Sequence, residues 1–255
     1  MISIKKLHKA FGKNKVLKGI DIDFCEPGIT AVLGPNGSGK TTLIKCILGM
    51  VIPNEGDITL DDENIKGKWA YRNKIDYLPQ IARFPENLKV KELLSMIKDI
   101  RGGEENSKNF IELFDLEPFL NQRLGNLSGG TLQKVNIMLA LMYDSPLLIL
   151  DEPTPGLDPL SLVRLKKLIL EEKAKGKIIL ITTHIMSFVE EMADNVIFLL
   201  EGNIHFKGSL NQLKTNYQSE KLEEAIAKIL EGKKYEFSSN GHSKKQVELK
   251  TQSNI

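Results

Sequence analysis

Cysteine and histidine are scarce in this sequence and are not grouped. The chain of 255 residues contains two cysteines and four histidines. Cys25 and Cys46 form no C-x-x-C pair, so a zinc site is not indicated, and so few cysteines fit a reducing compartment. The histidines are scattered along the chain. We therefore expect neither a disulfide framework nor a metal cluster built from these residue types.

Long apolar runs and an excess of one charge are also absent. No run approaches the roughly 20 residues that a membrane span requires, and residues 1–6 alternate like a strand rather than a signal peptide. The formal net charge is only +2, without the clustered basic stripe typical of nucleic-acid-binding proteins. We expect a cytoplasmic protein that binds no nucleic acid and serves a membrane only through a partner.

Short apolar runs alternate with helical patterns along most of the chain. Strands are predicted at residues 2–4, 16–24, 29–33, 56–65, 75–78, 147–150, 177–181 and 195–200. Helices are predicted at residues 40–48, 90–100, 110–116, 130–142, 159–175 and 185–193. This alternation predicts an α/β fold with a largely parallel sheet and helices on both of its faces.

Three further segments differ from that alternating pattern. Residues 84–126 carry helical periodicity and no strand signal, which predicts an α-helical insertion that the helix at residues 130–142 continues. Residues 210–217 and 222–230 are amphipathic. Residues 231–255 are rich in lysine, serine, asparagine and glutamine, so we expect a flexible polar tail after a domain that covers residues 1–230.

The first chemical motif follows the apolar run at residues 29–33. Residues 34–41 match the phosphate-binding template G-x-x-x-x-G-K-[ST] in full, between a strand and a helix. Glycines let backbone N–H groups approach phosphates closely, and the positive end of the following helix adds attraction. An ordinary glycine-rich turn is the alternative. The predicted nucleotide ligands are Gly34, Pro35, Asn36, Gly37, Ser38, Gly39, Lys40, Thr41 and Thr42.

Within this loop, Lys40 is predicted to reach the β- and γ-phosphates and the Thr41 hydroxyl to bind Mg²⁺.

A second polar site follows the four apolar residues 147–150. These residues predict a buried strand that places Asp151 and Glu152 at its carboxyl end, where open α/β sheets have their ligand sites. Asp151 is predicted to hold Mg²⁺, and Glu152 to act on the attacking water. A strand that ends in a polar turn is the alternative.

Between these two motifs lies Leu127-Ser128-Gly129-Gly130, which resembles the LSGG signature of the ABC ATPases. Ser128 could simply cap the helix that follows. The resemblance covers about residues 1–210. It implies that Ser128, Gly129 and Gly130 bind the γ-phosphate of the ATP that is held by a partner subunit. It also implies four further marks: the Q-loop residue Gln80, which senses Mg²⁺ and water; the D-loop at residues 156–158; the switch histidine His184; and Phe11, which stacks on adenine.

The resemblance implies the fold of a P-loop NTPase of the ABC ATPase type. That fold has a RecA-like parallel-sheet core, an N-terminal antiparallel β subdomain and an α-helical subdomain, here at about residues 84–143. The implied protein is an ATPase that binds ATP and Mg²⁺, forms a homodimer, and associates with integral membrane permease subunits at the inner face of the cell membrane.

A narrower resemblance rests on two segments and one further position. Residues 131–134 read Thr-Leu-Gln-Lys where many family members differ, Leu139 stands where arginine is common, and residues 78–88 read Leu-Pro-Gln-Ile-Ala-Arg-Phe-Pro-Glu-Asn-Leu. Together they are similar to the ATPase subunit of the nitrous-oxide-reductase maturation system. That family implies a periplasmic copper-handling protein as a further partner, reached through the permease.

Three other functions are alternatives to a transporter ATPase. A soluble ABC ATPase of a cofactor-assembly complex would carry the same motifs and differ only in its partner. DNA-repair and translation ABC proteins carry long coiled coils or two cassettes, and this chain has neither. A nucleotide-gated binding protein without turnover is the third, against which Lys40, Asp151, Glu152 and His184 argue.

Overall fold

The computed structural model describes residues 2–231, and the chain divides into two compact units between Lys207 and Gly208. The strands are β1 Ile2–Phe11, β2 Asn14–Phe24, β3 Gly28–Leu33, β4 Glu55–Leu60, β5 Glu63–Asn64, β6 Ile75–Leu78, β7 Leu147–Asp151, β8 Ile178–Thr182, β9 Asn195–Leu200 and β10 Asn203–Ser209. The helices are α1 Lys40–Ile47, α2 Val90–Arg101, α3 Ser107–Leu113, α4 Gly129–Leu141, α5 Pro159–Ala174, α6 Met186–Met192 and α7 Leu210–Asn216.

The predicted antiparallel β subdomain is confirmed as a four-stranded sheet in the order β2-β1-β4-β5. Its first strand is longer than expected, because β1 pairs with β2 along its whole length and with β4 on the other side. The single strand predicted at 56–65 is wrong. Asp61 and Asp62 adopt φ angles of 49° and 64°, and this left-handed turn folds the segment into the β4–β5 hairpin.

The second sheet has six strands in the order β10-β9-β3-β8-β7-β6. The pairs β3–β8, β3–β9, β7–β8 and β6–β7 are parallel, so the predicted parallel-sheet core is confirmed. All five residues of β7 are buried, as expected for a continuous apolar strand that is covered on both faces. The strand β10 was not predicted, because this half-exposed edge strand has only two apolar residues, Ile204 and Phe206.

Alternate residues of β7 enter two different hydrophobic cores. Leu148 and Leu150 pack in a cluster with apolar residues of the helical insertion and of α5. Leu147 and Ile149 pack instead with α1 and the antiparallel sheet. This period of two is the one that strand geometry imposes, and it places the six-stranded sheet between the two other layers of the unit.

The insertion at residues 84–143 is helical, with α2, α3, α4, two short 3-10 helices and an isolated bridge between Lys89 and Arg123. Its α3 begins at Ser107 rather than at the predicted residue 110. The backbone N–H of Asn106 donates to the carbonyl of Met142 at 2.7 Å, and that of Ser107 donates to Glu105 at 2.5 Å. These contacts start the helix before its apolar pattern does.

A buried ion pair joins the end of α2 to the start of β6. Arg101 Nη1 lies 2.7 Å from Asp76 Oδ1, and the Asp76 side chain is 1% exposed. The Ser145 hydroxyl also donates to Asp76, at 2.9 Å. Burial raises the pKa of Asp76, and Arg101 opposes that effect. Breaking such a pair on one side leaves a charge uncompensated, so this contact anchors the helical insertion to the core sheet.

The second unit, from Gly208, contains α7 and a helix at residues 222–231. Ser209 caps α7 by accepting a hydrogen bond from the N–H of Gln212 at 3.1 Å, and Lys228 donates to the carbonyls of Tyr217 and Gln218. Residues 232–255 of the predicted tail lie outside the described residues. No helix among those described combines the length and apolarity needed to cross a membrane.

Candidate functional site

The phosphate loop at residues 34–41 is held in a conformation that needs glycine. Gly34, Gly37 and Gly39 have φ angles of 148°, 80° and 110°, a region that residues with a Cβ rarely adopt. A Cβ on Gly34 would lie 2.1 Å from the Leu199 carbonyl oxygen. Gly39 directly precedes α1, so the loop ends at a helix N-terminus whose N–H groups attract anions.

Lys40 is turned back over the loop. Its Nζ donates to the carbonyls of Gly34 at 2.7 Å and Pro35 at 3.2 Å. Burial lowers the pKa of Lys40, and the carboxylates of Glu152 and Asp151 act in the opposite direction. The ammonium group thus lies between the phosphate loop and two carboxylates, where it can exchange its carbonyl contacts for phosphate oxygens.

Strand register brings the polar motifs together. In the parallel pairs, Thr182 of β8 lies beside Asp151 of β7 on one side and Val32 of β3 on the other. The loops that begin after these strands, with Gly34, Glu152 and His184, therefore leave the sheet at one edge. The strand β6 joins them there, because Leu78 pairs with Leu150 and the chain continues to Gln80.

Thr182 orients the carboxylate pair. Its hydroxyl donates to Asp151 Oδ1, and it accepts from the backbone N–H of Glu152 at 3.2 Å. Burial raises the pKa of Asp151, while the bond from Thr182 counteracts the rise. The sequence motifs assign Thr182 no role of its own. A threonine directly after the apolar run 178–181 is the signal that could have identified it.

Glu152 has an uncommon backbone conformation and a buried carboxylate, and only one of its two carboxylate oxygens has a protein hydrogen-bond partner. Its φ of 52° is uncommon for a residue with a side chain, and such outliers cluster at functional sites. His184 Nδ1 donates to Glu152 Oε1 at 3.0 Å, whereas Oε2 is buried without a protein partner. The His184 side chain is 75% exposed, so it can approach a ligand while it holds the carboxylate.

The signature residues begin α4. Ser128 caps this helix, as predicted, because its Oγ accepts from the Thr131 N–H at 3.2 Å. No heavy atom would lie within 4 Å of a Cβ on Gly129. The same helix contacts the D-loop through Lys134, whose Nζ lies 2.7 Å from Asp158, a contact that the sequence did not reveal.

The two signature glycines are expected to respond differently to alanine. A Cβ on Gly130 would lie 2.6 Å from the Gly156 carbonyl oxygen, whereas one on Gly129 meets nothing. Gly130→Ala is expected to lower the free energy of unfolding by about 1–3 kcal/mol through overpacking. Gly129→Ala is expected to be neutral or stabilising by up to about 1 kcal/mol. Urea unfolding measures both, and equal destabilisation would contradict the close contact with Gly156.

Gln80 and Phe11 lie at the surface. Gln80 is exposed just beyond β6, and Phe11 ends β1 with 51% of its surface exposed. Phe11 belongs to the β1–β2 hairpin, whose Val16 carbonyl would lie 3.1 Å from a Cβ on Gly39. The hairpin therefore borders the phosphate loop. Cavities of about 650 and 490 Å³ occur elsewhere. Neither is lined by a predicted site residue, so the site lies outside both cavities.

The residues present fit a nucleotide with a divalent cation. The buried Oγ of Ser38 has no protein partner, and leaving such an atom unpaired costs about 1–3 kcal/mol. A phosphate in the glycine-lined loop would satisfy it. The Thr41 hydroxyl and the Asp151 carboxylate supply oxygen ligands of the kind that Mg²⁺ prefers.

Comparison with known proteins agrees with the geometry, because the proteins that match this chain bind ATP. Residues 17–155 match the family model described as ABC transporter. The L-cystine import ATP-binding protein TcyC of Bacillus subtilis (strain 168) is 34% identical over 244 residues, which cover 90% of this chain and 99% of that protein.

Solved structures agree with this match. The structure of an ATP-binding subunit of an ABC transporter superposes with a TM-score of 0.85 at 30% identity, over 90% of this chain and 99% of the other. The ADP conformation of the ATP-binding cassette MJ1267 superposes with a TM-score of 0.72 at 28% identity, over 89% and 98%. The phosphate loop, the carboxylate pair and these relatives together place the chain in the ABC transporter family, as an ATP-binding subunit with ATPase activity.

Proposed function

We propose that this chain hydrolyses ATP with Glu152 as the base and transmits the resulting motion to membrane-embedded permease subunits. The observation that carries the proposal is the gathering of Asp151, Glu152 and His184 at one sheet edge beside the phosphate loop. One oxygen of Glu152 is buried there without a protein partner.

Nucleotide binding uses the loop, the first turn of α1 and three metal ligands. Lys40 exchanges its bonds to the Gly34 and Pro35 carbonyls for the β- and γ-phosphates, and Thr42 donates near the α-phosphate. Thr41, Asp151 and Gln80 are the residues that would hold Mg²⁺, which neutralises charge on the β- and γ-phosphates when bound. The exposed ring of Phe11 stacks on the adenine base of the nucleotide.

Hydrolysis depends on the free oxygen of Glu152. A water in line with the γ-phosphorus donates its proton to Oε2 as it attacks, and the bond from the γ-phosphorus to the β–γ bridging oxygen breaks, so that ADP and inorganic phosphate are the products. His184 keeps the carboxylate oriented through its bond to Oε1 and contacts the γ-phosphate with the exposed part of its ring. Lys40 stabilises the charge that develops on the phosphate oxygens.

We propose a head-to-tail homodimer because the signature lies on a different element from the phosphate loop. Ser128 starts the thirteen-residue helix α4 with an exposed hydroxyl, and the space beside Gly129 is open. The N-terminus of such a helix binds a phosphate. Ser128 and Gly130 of one subunit thus complete the pocket built on Lys40 of the other.

A permease segment is proposed to dock on the face formed by the Q-loop and α2. Ile81 in the Q-loop and Ile100 near the end of α2 are 68% and 74% exposed, and residues 84–94, which lie between them in the sequence, would transmit the motion. An apolar partner helix would bury both side chains. This docking would hold the chain at the cytoplasmic face of the cell membrane.

Charge at this face should detach the chain from membranes without harming its chemistry. Ile100→Glu is expected to remove the chain from the membrane fraction of cells that produce the permease, with ATPase activity of the isolated subunit unchanged. Leu170→Glu is the matched control, since Leu170 is 45% exposed on α5. Quantitative blotting of membrane pellets measures both. Equal recovery of the two variants would place the permease elsewhere.

Two narrower questions go with this proposal. Maturation of the copper sites of nitrous oxide reductase, with a periplasmic copper-handling partner, is a proposal that rests on residues 78–88 and 131–134. A cofactor-assembly ATPase would show no dependence on a permease.

Steady-state phosphate release from the purified chain, with Lys40→Ala as control, separates an ATPase from a nucleotide-gated binding protein. Such a binding protein would bind ATP and release no phosphate.

A further inference from the structure

The exposed ring of Phe11 has a cation on one of its faces. Lys9 Nζ lies 4.9 Å from the centroid of the ring, within the range of a cation–π contact. Phe11 is the last residue of β1 and is half exposed. A ring in such a position would ordinarily sample several rotamers, so a contact that restrains it also decides what it can bind.

Lys9 is itself anchored. Its Nζ donates to the carbonyl of Ile52 at 2.7 Å, which directs the ammonium group to the ring and to one backbone oxygen. Asn54 adds two bonds to the same strand end: its side chain accepts from the Ala10 N–H at 2.7 Å, and its backbone N–H donates to the His8 carbonyl at 2.9 Å.

The anchoring segment belongs to the phosphate-binding part of the chain. Residues 48–54 directly follow α1, whose first residue is Lys40. The contacts of Lys9 and Asn54 therefore tie the strand end that carries Phe11 to the helix that carries the phosphate ligand. A rigid link of this kind sets the separation between a stacked base and the phosphates, which lowers the entropy lost on binding.

We propose that Lys9 is a positioning residue for the nucleobase: it holds Phe11 by one ring face and leaves the other face for a purine to stack on. This inference rests on the proposed function of Phe11. The ligand class is a purine nucleotide that is held at both ends, and stacking supplies affinity at the base end.

The test compares a ligand that has a base with one that has none. Lys9→Met retains most of the side-chain length and loses the charge. It is expected to raise the Kd of ADP about three- to fivefold, the effect of an exposed cation–π contact, and to leave the Kd of pyrophosphate unchanged. Lys9→Arg should restore ADP affinity, because arginine also binds ring faces. Isothermal titration calorimetry measures each Kd.

Lys13→Met is the matched control, because Lys13 is an exposed lysine in the turn of the same hairpin. It should affect ADP and pyrophosphate alike, if at all. In steady-state hydrolysis, Lys9→Met should raise KM for ATP by the same factor as the Kd and leave kcat unchanged. In a Phe11→Leu background, Lys9→Met should have no further effect on ADP.

Three results would overturn the inference. Equal weakening of ADP and pyrophosphate would make Lys9 a general charge for phosphate. Unchanged ADP affinity would remove it from base binding, and a full effect without the Phe11 ring would show that it acts elsewhere. Failure of the proposed function is distinct, since a chain that binds ADP but releases no phosphate from ATP would leave these affinity comparisons intact.

Discussion

Replacement of Glu152 by glutamine is expected to lower ATP turnover at least about a hundredfold, the usual contribution of a positioned general base. The amide retains the shape of the side chain and cannot accept a proton from water. ATP binding should persist, because Lys40 and the phosphate loop, rather than Glu152, hold the phosphates. The variant should therefore accumulate as an ATP-bound dimer.

Phosphate release and size-exclusion chromatography with ATP measure these two outcomes. Glu191→Gln is the matched control, since Glu191 is a carboxylate on α6 that pairs with Lys166 and lies outside the proposed chemistry. It should hydrolyse ATP at the wild-type rate. Near wild-type turnover by Glu152→Gln would show that the buried Oε2 accepts no proton in the reaction.

Ser128→Arg is expected to abolish hydrolysis while ADP affinity of the monomer remains close to that of wild type. A bulky cation at the start of α4 prevents the close approach of a second subunit, whereas the phosphate loop of the same chain is untouched. Gln122→Arg is the control, because Gln122 is exposed in the same helical insertion and carries no proposed contact with the partner.

Mixing two inactive variants tests the shared site directly. A heterodimer of Ser128→Arg with Lys40→Ala has one pocket formed by wild-type Lys40 and wild-type Ser128, and one that carries both lesions. Partial phosphate release should return on mixing, provided that a single site can act alone. ATP-dependent heterodimer formation is measured in parallel. If Ser128→Arg alone dimerises and hydrolyses ATP normally, the shared pocket does not exist.

Element types were predictable wherever local pattern and tertiary packing agree. Continuous apolar runs such as residues 147–150 form buried parallel strands, because a strand that is covered on both faces buries every one of its side chains. The failures were at the surface. The edge strand β10 has only two apolar residues, Ile204 and Phe206, and the β4–β5 hairpin depends on two aspartates with positive φ, which residue type alone does not reveal.

Of the candidate site, the residue identities were predictable and their contacts were not. The motifs named Lys40, Asp151 and Glu152 by spacing and residue type. Thr182 donates a hydrogen bond to Asp151 and His184 donates one to Glu152, and the two residues of each pair are more than thirty positions apart in the sequence. Only the register between β7 and β8 brings them together. The 2.6 Å approach of Gly130 to Gly156 likewise depends on how α4 packs.

The sequence alone determined the class of this protein, because the phosphate loop, the carboxylate pair and the signature are short segments whose chemistry depends on neighbouring residues. The tertiary structure decided how these segments act together. It left Glu152 Oε2 free, turned Lys40 onto loop carbonyls and placed Lys9 over Phe11. Each of these results depends on contacts between distant parts of the chain, or on a backbone conformation that such contacts enforce, and local sequence does not encode them.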